Sequence, residues 1–104
     1  MSDLANPVRG EATLMVTGQP RVLRPTFAAL VAAEEELGSL FALVERAGES
    51  RLRLEELAAL FWHCLTERGE VSRETVGEAI VAQGLAASSK PLKTLLYQIL
   101  QGAG

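Results

Sequence analysis

A chain of 104 residues is one domain's length, and 48% hydrophobic residues give it enough apolar surface for a packed core rather than a disordered tail. Aromatics are only 5%, so that core is built mainly from Leu, Val and Ala. The formal net charge of -3 and a pI near 5.1 argue against nucleic-acid binding, which needs Lys and Arg clustered on one face. A single cysteine, Cys64, excludes an internal disulfide and fits a reducing compartment. The opening Met-Ser-Asp-Leu lacks the basic and apolar regions of a signal peptide, and no apolar run approaches the ~20 residues of a membrane span. These features lead us to expect a cytoplasmic protein with no membrane partner.

Residues 1 to 8 read as a flexible arm, residues 9 to 101 as a single domain and residues 102 to 104 as a frayed end. Glu11 to Val16 alternates like a strand, with Ala12, Leu14 and Val16 on one side. Thr17-Gly18-Gln19-Pro20 reads as the turn, with Gly18 supplying the positive φ at the first central residue of a type II′ hairpin. Arg21 to Arg24 is the return strand, stopped by Pro25.

The helices follow. Thr26 caps a helix from Phe27 to Leu37, and Gly38 fits the position just past its end. Ser39 caps the next, which carries Leu40, Phe41, Leu43, Val44 and Ala47 and ends at Gly48. Glu49 to Arg53 is a charged link whose Arg51-Leu52-Arg53-Leu54 alternation could be a short extended piece. The strongest helix runs from Leu54 to Arg68 and ends at Gly69. At about 100° per residue, Leu54, Leu57, Ala58, Phe61, Cys64 and Leu65 form its stripe. Leu60 and Trp62 flank that stripe, widening the apolar arc to about 200°, which suits a central helix or one that meets a second protein. Ser72 caps a fourth helix, with Val71 and Val76 as a hydrophobic staple and Gly84 at its end. Ser88 or Ser89 starts the last helix, with Pro91 in its first turn and Leu92, Leu95, Leu96, Ile99 and Leu100 on one stripe. The expected fold class is α+β: an N-terminal two-stranded hairpin followed by a compact bundle of four to five short helices.

Chemistry is sparse. His63 falls about 180° from the stripe and should face solvent, while Cys64 points nearly the other way, so they do not make a nucleophile and base. A zinc site needs about four ligands, more than these two residues supply. Glu34-Glu35-Glu36 splay around a helix, and Glu67 to Glu74 lacks the ligand spacing of a calcium loop. The glycines form no phosphate-binding loop. No catalytic, metal-binding or cofactor-binding residue is expected, and the protein is not read as an enzyme. Contact with another polypeptide is the better use of this chain. Its candidate residues are Trp62 and Leu60 on the flanks of the wide arc, Tyr97 beside the last stripe, and Met15 and Val22 on the hairpin, whose edge could accept a strand.

Residues Asn6-Pro7-Val8-Arg9-Gly10-Glu11, the stretch TLMVTGQPRVLRPTFAAL, the helix LEELAALFWHCL and the closing GEVSRETVGEAIVAQG together resemble the tail proteins of gene transfer agents. Those particles are phage-like, and the family falls among phage tail assembly chaperones, sometimes labelled tail tube proteins. The resemblance covers roughly residues 5 to 100 and lies in patterns of hydrophobicity and turns. It implies a non-enzymatic role: coating the tape-measure protein until tube subunits polymerise around it. The partners implied are the tape-measure protein and a tail tube protein, and the ribbon could also join copies of the chain edge to edge. A structural component of the tail, or a small helical adaptor, are the alternatives.

Overall fold

The computed structural model describes residues 11–101. The expected arm at 1–8 and frayed end at 102–104 lie outside the described residues. Two strands lead, β1 (Ala12–Val16) and β2 (Gln19–Leu23), paired antiparallel with Ala12 opposite Leu23 and Val16 opposite Gln19. Five helices follow: α1 (Phe27–Leu37), α2 (Leu40–Gly48), α3 (Leu54–Cys64), α4 (Arg73–Gln83) and α5 (Leu85–Gln101). The architecture is the expected α+β arrangement.

The hairpin loop is Thr17-Gly18, and both residues have positive φ, 48° and 79°. That is a type I′ turn with Gly18 at its second central position, not the expected type II′ turn. The return strand therefore begins at Gln19 and includes Pro20. A two-residue loop makes Val16 and Gln19 a hydrogen-bonded pair, so Met15 and Pro20 form a non-hydrogen-bonded one. Pro20 costs the ribbon no ladder bond because its nitrogen points away from β1.

Capping chemistry sets most of the helix limits. The hydroxyls of Thr26, Ser39 and Ser72 accept from the backbone N–H of Ala29, Ala42 and Thr75. Gly38 and Gly84 close α1 and α4 with φ of 86° and 91°, a region that favours glycine. Two limits differ from expectation. Helix α3 stops at Cys64, before Arg68, because Leu65 turns extended and bridges Leu23. Arg24 N–H donates to the Cys64 carbonyl at 2.7 Å and Thr66 N–H to the Val22 carbonyl at 3.1 Å. A stub of third strand thus seals the open edge of β2, and these bonds replace the helical ones that the stripe had suggested. Helix α5 begins at Leu85 rather than at Ser88 or Ser89, which leaves Pro91 inside it. Pro91 is buried, and the Ser89 hydroxyl bonds back to the Ala86 carbonyl at 2.7 Å. The link after α2 carries no strand at Arg51 to Arg53.

The core lies between the inner face of the ribbon and α3, α4 and α5. Leu14, Val16 and Leu23 meet Phe61, Val76, Ile80 and Leu95, all buried in one cluster. Helix α3 is central, with Leu57 through Phe61 buried without interruption. Gly77 of α4 faces Ala58, where an added Cβ would come 3.8 Å from the alanine Cβ, so small residues set the close approach of these helices.

Ion pairs tie the elements together. Arg46 of α2 grips Glu56 of α3 with both guanidinium nitrogens, at 2.8 and 2.7 Å. Glu36 of α1 accepts from His63 and Arg73. Arg46 beside Glu56, and His63 then Arg73 beside Glu36, hold these carboxyls below the ordinary value of 4.5. A folded-state value below the unfolded one stabilises the fold above pH 4.5, and the contribution fades as pH falls through the lowered values. Thermal melts followed by circular dichroism are expected to give a flat midpoint from about pH 7 to 5 and a decline below it. Glu56→Gln should shrink that decline, and an unchanged acid limb would remove Glu56 from the account.

Candidate functional site

The sequence-predicted residues do not gather into one site. Leu60 is fully buried, so it belongs to the core and has no surface to offer a partner. Burial on both flanks of α3, against α1 on one side and α4 on the other, is the reason. Trp62 is half-buried, and its indole N–H donates to the Val71 carbonyl at 2.9 Å. The guanidinium groups of Arg68 and Arg73 lie 4.3 and 4.7 Å from its ring centroid. Val22 is half-buried, and its carbonyl is taken by Thr66. Met15 keeps an exposed side chain, but its carbonyl accepts from Gln83 Nε2 at 2.9 Å, which blocks part of the other hairpin edge. Tyr97 is 67% exposed on the outer side of α5.

His63 lies opposite the stripe as the helical wheel requires, but it does not face solvent as expected. Its side chain is only 9% exposed, lying edge-on to Trp62 with Nε2 2.9 Å from a Glu36 oxygen. It borders a cavity of about 270 Å³ with Arg24, Thr26, Cys64 and Arg68. The ionisable groups around that cavity are engaged elsewhere. Arg24 Nε is 2.6 Å from the buried Glu11 carboxylate, His63 is held by Glu36, and Arg68 stacks on Trp62. Burial pushes the Cys64 thiol up to about 12, so it is protonated at neutral pH. Among the described residues, no group of three His, Cys, Asp or Glu is placed to hold a metal ion. No helix among them is long and apolar enough to cross a membrane.

The surface that stands out is apolar. Phe27, Leu30 and Val31 of α1, Leu40, Phe41 and Val44 of α2, and Ile99 and Leu100 of α5 line a cavity of about 360 Å³. A second, of about 500 Å³, continues from Val44 and Leu100 along Ala47, Leu52, Leu92 and Leu96. The two share Val44 and Leu100 and form one groove, with α1 and α2 as one wall and α5 as the other. Phe27 and Phe41 are 85% and 83% exposed on its rim. Large aromatic side chains left this open and adjacent are characteristic of contact surfaces.

The model of a protein family described as phage tail tube protein, GTA-gp10, matches residues 9–102. The chain belongs to this family. No curated protein and no solved structure matches the chain. The gene transfer agent and phage tail character read from the sequence is therefore shown at the level of the family.

Within this tail family chain, the reason for the open groove lies in the geometry of α1 and α5. Helix α1 turns Ala33 to the core, while Phe27, Leu30, Val31 and Glu34, at i, i+3, i+4 and i+7, turn to the groove. Helix α5 buries Leu95 and packs the half-buried Leu92 against the core, while Leu92, Leu96 and Leu100 line the groove. Both helices carry apolar side chains beyond those the core takes up, and Leu30 and Leu92 border both the core and the groove. The sequence signal was the spacing of Phe27 with Leu30 and Val31, which reads as ordinary core until the structure shows what lies opposite.

Proposed function

We propose that this chain is a non-enzymatic tail assembly protein of a gene transfer agent or prophage-like particle. It binds an apolar helical segment of the tape-measure protein in the host cytoplasm while the tail is built. The groove between α1, α2 and α5 carries this reading. A helix laid in a hydrophobic groove needs apolar walls about as long as a few helical turns, with large side chains as anchors. Leu92 to Leu100 on α5 and Phe27 and Phe41 opposite supply both. Paired ionisable groups around the one polar cavity described above support the absence of catalysis.

A second reading has its own support, because the family description names a tube protein. In that reading the chain is a structural component of the finished tail. Against it stands the small share of strand among the described residues, a single two-stranded ribbon.

Co-expression with the tape-measure reading frame, followed by a pull-down, tests the first reading. The pair is expected to co-purify, and Phe27→Ser with Phe41→Ser to weaken capture by about tenfold or more. Both side chains are mostly exposed, so the thermal midpoint should barely move. Capture unaffected by the double substitution would remove the groove from the mechanism. Mass spectrometry of purified particles separates the readings, since a chaperone should be scarce there and a tube component stoichiometric.

A further inference from the structure

The two ends of the groove differ in charge. Among the described residues, Glu34 is the one charged side chain lining the cavity at the Phe27 and Phe41 end, and Lys93 is the one lining the cavity at the Leu92 end. On α5, Lys93 comes seven residues before Leu100, about 10 Å along the helix axis. Neither Glu34 nor Lys93 forms an ion pair among the described residues, whereas nearby Glu49 pairs with Arg51 and Arg46 with Glu56. Leu40 N–H donates to a Glu34 carboxylate oxygen at 3.1 Å, which holds that charge beside the first turn of α2. Lys90, exposed one helical turn before Lys93, adds to the positive end. Glu45 follows Val44, where the two cavities join, and so favours neither end.

We infer that the partner segment received by this groove is an amphipathic helix with opposite charges at its two ends, seated with its basic end at Glu34 and its acidic end at Lys93. The orientation rests on the groove being the polypeptide-binding surface proposed above, and it adds the chemistry and direction of the segment. Apolar contact supplies most of the affinity, since exposed ion pairs contribute little. Direction is a different matter. A helix turned end for end in an apolar groove keeps nearly the same hydrophobic contacts, so two charge contacts decide between the two placements. One placement pairs base with Glu34 and acid with Lys93, and the other sets like charge against like at both ends. Helices favour acidic residues in the first turn and basic ones in the last, because that suits the macrodipole. A segment of that kind lies with its last turn between Phe27 and Phe41 and its first turn by Leu92, and so runs parallel to α5.

Photo-crosslinking of synthetic helical peptides to the full chain reads the orientation. The first probe has about 14 residues, with Leu at i, i+3, i+4 and i+7, two Glu in its first turn and two Lys in its last. A photoreactive residue at its basic end is expected to label residues 27–41, and one at its acidic end residues 89–96. A second probe with Lys first and Glu last should reverse its chain direction, so that the charged ends keep their places. A third probe with Lys at both ends should bind about three- to tenfold more weakly than the first at low salt. Lys93→Glu should invert that preference, and about 0.5 M salt should abolish it while apolar binding persists. Lys93 is exposed, so its substitution leaves the thermal midpoint nearly unchanged. Peptides that do not bind, labels spread equally over both ends, labels that follow chain direction instead of charge, or a preference that ignores Lys93→Glu would each overturn the proposal. Tape-measure capture that needs Phe27 and Phe41 but ignores Lys93→Glu overturns the orientation and leaves the tail reading standing. Peptides that obey the charge rule on a chain that never captures the tape-measure segment uphold the orientation and remove the tail reading.

Discussion

Phe61→Ala is expected to cost about 3–5 kcal/mol, the range for truncating a fully buried aromatic. Phe61 is the largest fully buried side chain among the described residues and sits in the last turn of the central helix α3. It joins the cluster that includes Leu14 and Val16 of the ribbon and Val76, Ile80 and Leu95 of the later helices. Nothing beside it is free to collapse into the space, because its neighbours are themselves committed to the same core. For a domain of this size each kcal/mol moves the thermal midpoint by about 4–8 °C. A fall of more than about 12 °C is therefore expected, and total stabilities of about 5–15 kcal/mol leave little reserve. Urea unfolding gives the free energy directly. A loss below about 1 kcal/mol would mean that the core is not organised around α3.

Trp62→Ala should lower stability by about 2–4 kcal/mol, below the full range for a buried aromatic because the ring is half-buried. Three things go at once: the apolar contact, the hydrogen bond to the Val71 carbonyl and the seat for two guanidinium groups. The link between α3 and α4 is held by that indole, so hydrogen exchange around Val71 should rise with the loss of stability. Trp62→Phe keeps the ring face and loses the donor, and is expected to cost only about 1 kcal/mol. Tape-measure capture by Trp62→Ala at a temperature well below its midpoint should match the parent. Weakened capture with unchanged stability would return Trp62 to the role of a contact residue.

The hairpin, the five helices and most of their limits can be read from local chemistry. Thr26, Ser39 and Ser72 can satisfy orphan N–H groups wherever the chain places them, and Gly38 and Gly84 accept a backbone that other residues resist. The departures share one physical origin, which is partners distant in sequence. Leu65 fits the α3 stripe by spacing, and only Leu23, far earlier in the chain, pulls it into extended form. His63 faces away from the stripe as the wheel requires, yet Glu36 and Trp62 cover that side. Leu60 looks like a flank because the wheel cannot count how many neighbours a helix has. The groove stayed hidden for the same reason in reverse: Phe27 and Phe41 have core-like spacing, and nothing in a sequence announces that the facing wall has moved away. The family resemblance survived these errors because it rests on the order of turns and helices rather than on any one contact.

The strand stub at Leu65 and Thr66 has a bearing on how the chain is made. A ribosome releases the ribbon first, and the segment that clamps its outer edge emerges more than forty residues later, a delay of a few seconds at ordinary rates of translation. Gln83, which secures the opposite edge at Met15, comes later still. A lone two-stranded ribbon is marginal in water. The nascent ribbon therefore has two unguarded edges until the third and fourth helices arrive, and fragments cut before residue 65 should be prone to pair with one another instead of folding.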